Sequence, residues 1–324
     1  MFGSKYDVIA LGSCTVDNFV IIKEGYKDLK PGDKVLIEHL FTEIGGAASN
    51  SSISLAKFGL KIKIITKLGA DHNALIIKHK LKENNIDLHY AKSEKYMTPY
   101  AVILISKRDK DRIVFAYKGA SDYLSHEDFN FSELNTKWIY LGSLLGQSFK
   151  TAEQVALYAK RKKINVLFNP SSYLAAKGKN GLHKILSSAK ILILNKEEAQ
   201  LVLGKKIEIK ELLIGLKKLG PKIVVITDGK NTIHAINERC SYKLEPYKVK
   251  IVSTLGAGDA FAAGFLGSYI KNESIETSLR IGAANSASVL QHYGATTNTL
   301  SYKLAVEFVK KHHAKLEEHC KLKW

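Results

Sequence analysis

The chain has 324 residues, 45% of them apolar and 25% charged, and this balance excludes a wholly disordered or fibrous protein. Lysine and arginine number 49 against 31 aspartate and glutamate residues, and the resulting net charge of +18 raises the question of a polyanionic partner. The lysines are scattered along the sequence, and no basic run carries the interleaved aromatic residues on which single-stranded nucleic acids stack. We therefore expect no nucleic-acid partner and keep a non-enzymatic nucleic-acid binder only as a remote alternative.

The cysteines and the apolar runs bear on cellular location. Cys14, Cys240 and Cys320 show no metal-ligand spacing and indicate a reducing compartment rather than a disulfide framework. No stretch approaches the roughly 18 apolar residues that a membrane-spanning helix needs. The first apolar run, residues 8–11, is too short for a secretory signal. These features predict a cytoplasmic protein with no membrane partner.

Short β-branched runs alternate with segments of helical periodicity along the chain. Continuous apolar runs such as 191–194 and 223–226 are typical of parallel strands buried on both faces. The repeated strand-then-helix order predicts an α/β fold, a three-layer sandwich in which a mainly parallel central sheet is flanked by helices. In chain order the predicted strands are 8–11, 62–66, 101–105, 112–117, 138–141, 165–168, 191–194 and 223–227, and the predicted helices are 47–58, 74–83, 152–162, 197–203, 209–219, 257–270, 275–291 and 301–317.

Two segments interrupt this alternation. Residues 16–44 contain strand-like pieces at 19–22 and 35–40 but no helical pattern, and residues 96–117 have the pattern of a hairpin around a charged turn. Four strands from two separate insertions can pair into one small sheet, and this sheet would serve as a lid or a dimer surface. We therefore predict a single domain over residues 1–324, with a lid formed by the two insertions and a homodimer through the lid as a plausible assembly.

The strongest chemical signal is the glycine-rich segment 253–264, Ser-Thr-Leu-Gly-Ala-Gly-Asp-Ala-Phe-Ala-Ala-Gly, which opens directly into a helix of small residues. Backbone N–H groups that converge at a helix N-terminus form an anion site suited to phosphate. Asp259 follows in the first turn, where a carboxylate would repel a bound phosphate but could accept the proton of an attacking hydroxyl. The alternative is a structural role, in which Asp259 stabilises the helix start. The P-loop and dinucleotide-binding patterns are both absent from the sequence.

A second signal, Gly45-Gly46-Ala47-Ala48-Ser49-Asn50, opens the first helical segment. Paired glycines permit close approach of the backbone to a ligand, and the side-chain amide of Asn50 can both donate and accept hydrogen bonds to a sugar diol. The alternative is a helix with glycine at its entry and no ligand.

The two motifs occur together, and the pair Gly-Gly-Ala-x-x-Asn and Thr-x-Gly-Ala-Gly-Asp-Ala-Phe resembles the two signatures of the ribokinase-like (pfkB-type) carbohydrate kinase family. The resemblance covers roughly residues 8–297. It implies the ribokinase-like fold and an ATP-dependent kinase that phosphorylates a hydroxyl of a small sugar, or alternatively of an adenosine-like nucleoside. Further matches stand in order along the chain: Asp17, Arg112, Gly119-Ala120, Asn169-Pro170, Asn195-x-x-Glu198, Thr227-x-Gly229 and Gly294-Ala295.

The resemblance also implies a role for individual residues. Asp259 looks like the general base, with the amides of Gly256, Ala257 and Gly258 as the anion hole for the transferred phosphoryl group. ATP and Mg²⁺ are the expected cofactors, and Glu198 would reach Mg²⁺ through water because this ion keeps several waters. The residues implied to hold the sugar are Asp17, Gly45, Gly46 and Asn50, and those implied to hold the nucleotide are Asn195, Thr227, Gly229 and, on the adenine side, Asn285. Asn195 and Glu198 also have the spacing of a helix capping box, and the two roles are compatible.

The sequence departs from the family pattern at Ser253, where members usually have an aspartate that supports a monovalent-cation site. A hydroxyl binds a cation more weakly than a carboxylate, which argues against activation by K⁺. Segment 169–173 carries no arginine that could meet an acidic sugar, and this favours a neutral substrate. A phosphorylated sugar stays an alternative, because Lys118 or Arg112 could meet its phosphate from the lid side. A nucleoside would need an aromatic wall in the lid, for which Phe19, Tyr100 and Tyr117 are the candidates.

Overall fold

The computed structural model describes residues 4–320, and fourteen strands and eleven helices form its regular structure. The strands are β1 Tyr6–Leu11, β2 Thr15–Ile22, β3 His39–Gly45, β4 Ile62–Gly69, β5 Asp87–Ser93, β6 Tyr100–Ser106, β7 Asp111–Tyr117, β8 Thr136–Leu141, β9 Asn165–Phe168, β10 Ile191–Asn195, β11 Ile223–Thr227, β12 Ile233–Ile236, β13 Cys240–Leu244 and β14 Leu316–Cys320. The helices are α1 Ala47–Lys57, α2 His72–Glu83, α3 Gly146–Lys162, α4 Ser172–Ala175, α5 Gly178–Gly181, α6 His183–Leu186, α7 Lys196–Leu203, α8 Ile209–Lys217, α9 Ala257–Ile270, α10 Ile275–Val289 and α11 Tyr302–Lys311. Within the described residues, no helix has the length and apolar character needed to cross a membrane.

A ten-stranded sheet occupies the middle layer, in the order β14-β13-β12-β11-β10-β9-β8-β1-β4-β5. The strands from β11 to β5 run parallel, as the sequence predicts. Strands β12, β13 and β14 add an antiparallel edge that the sequence analysis does not contain. The prediction of a mainly parallel sheet is therefore confirmed.

Both faces of the central parallel strands β10 and β11 are buried, which explains why their sequences are apolar almost without interruption. In β1, Val8 and Ala10 pack into a core with α1, α2, α9 and α10, whereas Ile9 and Leu11 pack into a second core with α3, α6, α7 and α8. Each fully buried aliphatic side chain contributes roughly 1.5–3 kcal/mol to this packing. The three-layer sandwich is confirmed, with one hydrophobic core on each side of the sheet.

The two predicted insertions pair into a separate four-stranded sheet, in the order β3-β2-β6-β7. Strand β2 pairs antiparallel with β3 and parallel with β6, and β6 and β7 form the predicted hairpin. The strand predicted at 35–40 is displaced, since β3 begins only at His39. Phe19 and Ile103 lie in a small core on one face of this sheet. Leu255, just before α9, and Tyr293, just after α10, pack against this core. The small sheet therefore lies against the glycine-rich segment.

The C-terminal segment differs from its predicted structure. The helix predicted at 301–317 ends at Lys311, and residues 316–320 form β14, which pairs antiparallel with β13. Cys240 and Cys320 are direct partners in this register and form a disulfide. The expectation of unpaired cysteines is wrong for these two residues, because no strand was predicted at either position. Cys14 stays free, and burial raises the pKa of its thiol to about 12.

Candidate active site

Helices α1 and α9, which follow the two glycine-rich motifs, meet at the centre of the site. Asn50 on α1 donates a hydrogen bond from Nδ2 to Oδ2 of Asp259 on α9 at 2.9 Å, although the two residues are 209 positions apart. The other polar atom of this amide, Asn50 Oδ1, is buried and has no hydrogen-bond partner in the part of the chain that the structure describes. The fold thus joins the two motifs and leaves an acceptor beside the carboxylate that a ligand hydroxyl can satisfy.

Asp17 lies on β2, close enough to this junction for its charge to act on that of Asp259. Its carboxylate occupies the space beside Gly45, where a Cβ would collide with both carboxylate oxygens. Gly46 has a φ of 93°, and a Cβ there would meet the carbonyl of Ser13. Contacts within the protein therefore require glycine at both positions. Gly45 makes room for the Asp17 carboxylate, and Gly46 forms the turn into α1.

Three carboxyl groups around the junction have raised pKa values. Burial raises the pKa of Asp259 to about 6, and the hydrogen bond from Asn50 opposes this shift. Burial also raises the pKa of Asp17 to about 6, and the charge of Lys118 acts in the opposite direction. For Glu198 the pKa is raised to about 7, mainly by burial and further by the charge of Asp259. A cation bound among these groups would favour their ionised forms.

The start of α9 has the geometry of an anion cradle. Its N-cap, Gly256, has a φ of 77°, and a Cβ at this position would collide with Ala295. This contact explains why Gly294-Ala295 accompanies the glycine-rich motif along the chain. In front of Gly258, no described atom lies within 4 Å of the place that a Cβ would take. The N–H of Ala257 makes only a long bond of 3.4 Å, to the carbonyl of Thr254. The first N–H groups of the helix therefore face open space in which an anion can bind.

A cavity of about 1050 Å³ extends from this cradle along the carboxyl ends of β10 and β11. Asn195 and Thr227 are register partners at these strand ends, and both line the cavity. Gly229, Ala257 and Gly258 line it as well, so three of the predicted nucleotide residues and two of the three predicted anion-hole residues share one space. Gly256 and Glu198 lie outside this lining. A volume of this size can hold a nucleotide.

Asn195 and Glu198 form the predicted capping box at the start of α7. The Asn195 side chain accepts a hydrogen bond from the N–H of Glu198 at 2.8 Å, and the Glu198 carboxylate accepts one from the N–H of Asn195 at 2.9 Å. No trio of His, Cys, Asp or Glu ligands converges at this place among the described residues. Oxygen donors without a closed cage fit an Mg²⁺ ion that is carried mainly by nucleotide phosphates and water.

The structure corrects the assignment of Asn285 to the adenine side. This side chain is completely buried, and its Nδ2 donates to Ser54 Oγ and to the carbonyl of Ala260, both at 2.7 Å. Its Oδ1 accepts a hydrogen bond from the N–H of Leu300 at 2.9 Å. Asn285 therefore ties α10 to α1 and α9. The next residue, Ser286, lines the cavity, because one step along a helix turns a side chain to another face.

Sequence reasoning missed several residues of the cavity wall. Lys196 and Asp228 each follow a motif residue, and Lys196 Nζ lies 3.4 Å from Asp228 Oδ2. These two could have been inferred, because Lys196 directly follows β10, Asp228 directly follows β11, and the two strands are parallel neighbours. The segment after β13 carries no motif that would have revealed it. The missed polar and aromatic lining residues include Lys196, Asp228, Lys230, Asn231, Thr232, Glu245, Tyr247, Lys248 and Ser286.

The family is settled by comparison with known proteins. A family model described as pfkB family carbohydrate kinase matches residues 5–301. The chain belongs to the pfkB family of carbohydrate kinases. The resemblance drawn from the two glycine motifs and the matches between them is confirmed.

Members of the pfkB family with different names resemble the chain to a similar degree. It is 26% identical over 300 residues to an ATP-dependent 6-phosphofructokinase of Thermoanaerobacterium thermosaccharolyticum, covering 90% of each protein. It is also 26% identical over 322 residues to a nucleoside kinase of Methanocaldococcus jannaschii, covering 96% of this chain and 99% of the relative.

Solved structures agree with the fold. The crystal structure of the Methanocaldococcus jannaschii nucleoside kinase, an archaeal member of the ribokinase family, gives a TM-score of 0.77 at 25% identity and covers 96% of this chain and all 100% of that one. The ribokinase of Arabidopsis thaliana, complexed with ribose and ATP, gives a TM-score of 0.81 at 21% identity and covers 94% of this chain and 99% of that one. The ribokinase-like fold is confirmed, and the varied names leave the acceptor to be argued from the site.

Proposed function

We propose that this pfkB-family kinase transfers the γ-phosphoryl group of ATP to a hydroxyl of a small, neutral sugar. The observation that carries the proposal is the 2.9 Å hydrogen bond between Asn50 and Asp259, in front of the open start of α9. Helix α1 supplies an amide for the acceptor, and α9 supplies both a base and an anion site. One small alcohol can therefore touch the groups that hold it and the groups that react with it.

In the proposed reaction, Asp259 accepts the proton of the substrate hydroxyl while the hydroxyl oxygen attacks the γ-phosphorus. The bond between this phosphorus and the bridging β–γ oxygen breaks, and ADP leaves. The N–H groups of Gly256, Ala257 and Gly258 stabilise the charge on the transferred group. A pKa of about 6 leaves Asp259 mostly ionised at neutral pH but still basic enough to take a proton. General-base help of this kind contributes roughly 10²–10⁴ in rate.

Asp17 and Asn50 are proposed to hold the acceptor. The carboxylate of Asp17 can accept hydrogen bonds from two hydroxyls, and Asn50 Oδ1, buried without a partner among the described residues, can accept one more. Gly45 takes part indirectly, because it lets the Asp17 carboxylate lie against the backbone. The acceptor site is thus rich in hydrogen-bond acceptors, which suits a polyhydroxylated neutral molecule.

The nucleotide is proposed to occupy the cavity of about 1050 Å³, with its triphosphate at α9 and its base toward the wall after β13. When bound, Mg²⁺ would neutralise phosphate charge, and Glu198 is proposed to act on its water shell. The hydroxyl of Ser253 accepts a hydrogen bond from the N–H of Leu255 at 3.3 Å. Because this hydroxyl already supports the loop and carries no charge, we expect activity without added K⁺.

The small sheet is proposed to be the lid of a single kinase domain and the surface of a homodimer. Several of its apolar side chains are exposed, with Leu40 at 65% and Phe115 at 58%. Covering this surface with a second copy would remove it from water. Light scattering of the wild type and of Phe115→Glu tests the assembly, and a wild-type mass of one chain would contradict it. A cytoplasmic location is proposed because the reaction consumes ATP.

A nucleoside is the second candidate acceptor, and the exposure of Tyr117 favours it. Phe19 is buried and stacked on Phe41 with ring centroids 4.7 Å apart, so it has no free face for a base. Tyr117 is 47% exposed and directly precedes Lys118, whose charge acts on Asp17. Tyr117 is therefore the most exposed of the three aromatic residues predicted from sequence, and its ring leaves a face on which a base could stack.

The test is acceptor-dependent release of ADP from Mg²⁺-ATP, with and without K⁺, followed by mass spectrometry of the product. The panel contains ribose, fructose, fructose 6-phosphate, adenosine and inosine. A phosphorylated product from ribose or fructose supports the proposed neutral sugar, one from adenosine or inosine supports the second candidate, and one from fructose 6-phosphate alone would contradict a neutral acceptor. Tyr117→Ala should raise KM for a nucleoside but not for a sugar. Release of ADP that no acceptor stimulates would overturn the proposed function.

A further inference from the structure

The positive charge of the chain is concentrated in one segment of the fold. Residues 146–222 contain sixteen lysines and arginines, five glutamates and no aspartate, a net charge of +11 out of the total of +18. The residues before this segment carry a net charge of +3, and those after it carry +4. Most of the excess positive charge therefore belongs to residues 146–222, although lysines occur along the whole sequence.

This segment forms a continuous helical layer on one side of the central sheet. Helices α3, α6, α7 and α8 cover the core that faces away from α1 and α9. Within the layer, α3 packs on α6, α6 on α5, α5 on α7 and α7 on α8. Helix α3 alone has 17 residues, a length of about 25 Å. Lysines that are distant in sequence thus share one surface.

The basic layer continues along the edge of the sheet opposite the active site. Lys163, Lys190 and Lys222 come just before β9, β10 and β11, which are neighbouring parallel strands. The N–H of Lys222 donates to the carbonyl of Lys190 at 3.0 Å, and the charge of Lys222 lowers the pKa of Lys190, after the larger effect of burial. Adjacent strands are about 4.8 Å apart, so these lysines bring like charges close together at this edge.

Most of these cations are available to a partner. Within the described part of this segment, only Lys184 and Lys196 lie within 4.0 Å of a carboxylate, those of Glu153 and Asp228. The four residues 160–163 at the end of α3, Lys-Arg-Lys-Lys, are all exposed. Unpaired like charges repel one another and weaken the fold, so an anion that covers them gains from all of them together.

We propose that this basic face, the exposed lysines and arginine of residues 146–222, binds the phosphate backbone of double-helical nucleic acid without reading its sequence. Lysine outnumbers arginine by fifteen to one in the segment, and arginine is the residue that base edges and acidic peptides select. Single strands need exposed aromatic platforms, and the described aromatic residues of these helices offer only Tyr173 at 65% exposure. An anionic membrane would need a set of apolar anchors, whereas Leu157 and Leu201 are the only large aliphatic side chains exposed here among the described residues.

Fluorescence anisotropy of short labelled RNA and DNA duplexes of mixed sequence tests the proposal. We expect affinity in the micromolar range at about 50 mM salt and a loss of at least tenfold at about 200 mM, because each phosphate contact releases counterions. The variant Lys160→Gln/Arg161→Gln/Lys162→Gln should weaken binding about tenfold or more and reduce the salt slope by about 2–3.

The matched control is Lys78→Gln/Lys80→Gln/Lys82→Gln, which removes the same charge from α2 in the opposite layer. It should change duplex affinity less than threefold, and both variants should keep wild-type kinase activity and melting temperature. Absence of salt-dependent duplex binding by the wild type, or equal weakening by the two variants, would overturn the proposal. So would binding to phosphatidylserine vesicles in preference to duplexes.

Discussion

The acceptor half and the nucleotide half of the site are built in contrasting ways. Around the acceptor, Asp17 and Asn50 are buried, and Asn50 is fixed to Asp259 by a direct hydrogen bond. The nucleotide half is an open cavity of about 1050 Å³ whose polar side chains, such as Lys196 and Lys230, are partly or fully exposed. Raised carboxyl pKa values occur where side chains are desolvated. The contrast predicts that substitutions in the acceptor half change turnover, whereas those in the nucleotide half change affinity.

The largest expected effect is that of Asp259→Asn. It removes the proposed base but keeps a side chain of similar size, so kcat should fall by at least about 10³ while ATP affinity changes little. Asp228→Asn is the matched control, because it makes the same replacement in the nucleotide half and should change kcat less than threefold. Steady-state kinetics and calorimetric titration with ATP measure both. Similar kcat losses in the two variants would remove the distinction between the halves.

Next in size is the effect of Gly256→Ala. Gly256 has a φ of 77°, and a Cβ at this position would collide with Ala295. The N–H groups of the cradle must therefore shift. We expect kcat to fall about 10²-fold, the usual result of losing an oriented donor. Gly204→Ala is the control, since Gly204 has a φ of 66° and no described atom lies within 4 Å of its missing Cβ. Gly204→Ala should lose about 1 kcal/mol of stability from the left-handed backbone alone. Gly256→Ala should lose more because of the added collision, and only this variant should lose turnover.

A smaller effect is expected for Lys196→Met. Lys196 lies at the cavity wall beside Asn195 and is held by Asp228, so its charge is placed to meet a nucleotide phosphate. KM for ATP should rise about five- to tenfold, with kcat and the acceptor KM within twofold of wild type. Lys206→Met, which removes a lysine outside the cavity lining, should leave all three constants unchanged. A loss confined to kcat would place Lys196 in the acceptor half instead.

The last effect concerns the stability of the fold and changes turnover least directly. A carboxyl group whose pKa is raised in the folded state stabilises the fold when it is protonated. This contribution is complete at pH values below the pKa of the unfolded state, which is about 4. For Asp259 this contribution is lost as the pH rises through about 6. Asp259→Asn should therefore raise the free energy of unfolding at pH 8 by about 3 kcal/mol relative to wild type, and change it less at pH 4. Urea denaturation at both pH values is the check, and a variant less stable at pH 8 would contradict the assigned shift.

Much of the fold follows from local patterns. The uninterrupted apolar runs of β10 and β11 require burial on both faces, and this alone places them inside a parallel sheet. The pairing of Asn50 with Asp259 is different, because spacing along the chain cannot bring residues 209 positions apart together. Only the resemblance to a family supplied that contact before the structure did.

The errors lie where the sequence pattern carries no signal. Strand β14 has the sequence Leu-Glu-Glu-His-Cys, which continues a charged helical pattern, and only its pairing with β13 makes it a strand. Asn285 was assigned to the wrong face of α10 because helical periodicity does not say which neighbour each face will meet. The wall at 245–248 follows β13 of the antiparallel edge, which the sequence analysis does not contain, and Tyr247 packs on Phe308 of α11.

The account rests on one buried carboxylate that works as a base, and the pH dependence of kcat/KM for the acceptor tests it most directly. With a pKa of about 6 for Asp259 and also for Asp17, wild-type kcat/KM should be constant above pH 7 and fall at least tenfold per pH unit well below 6. The residual activity of Asp259→Asn should fall less steeply over the same range, since the proposed base then no longer titrates. Wild-type activity that stays constant down to pH 5, or an Asp259→Asn profile with the wild-type slope, would contradict the account.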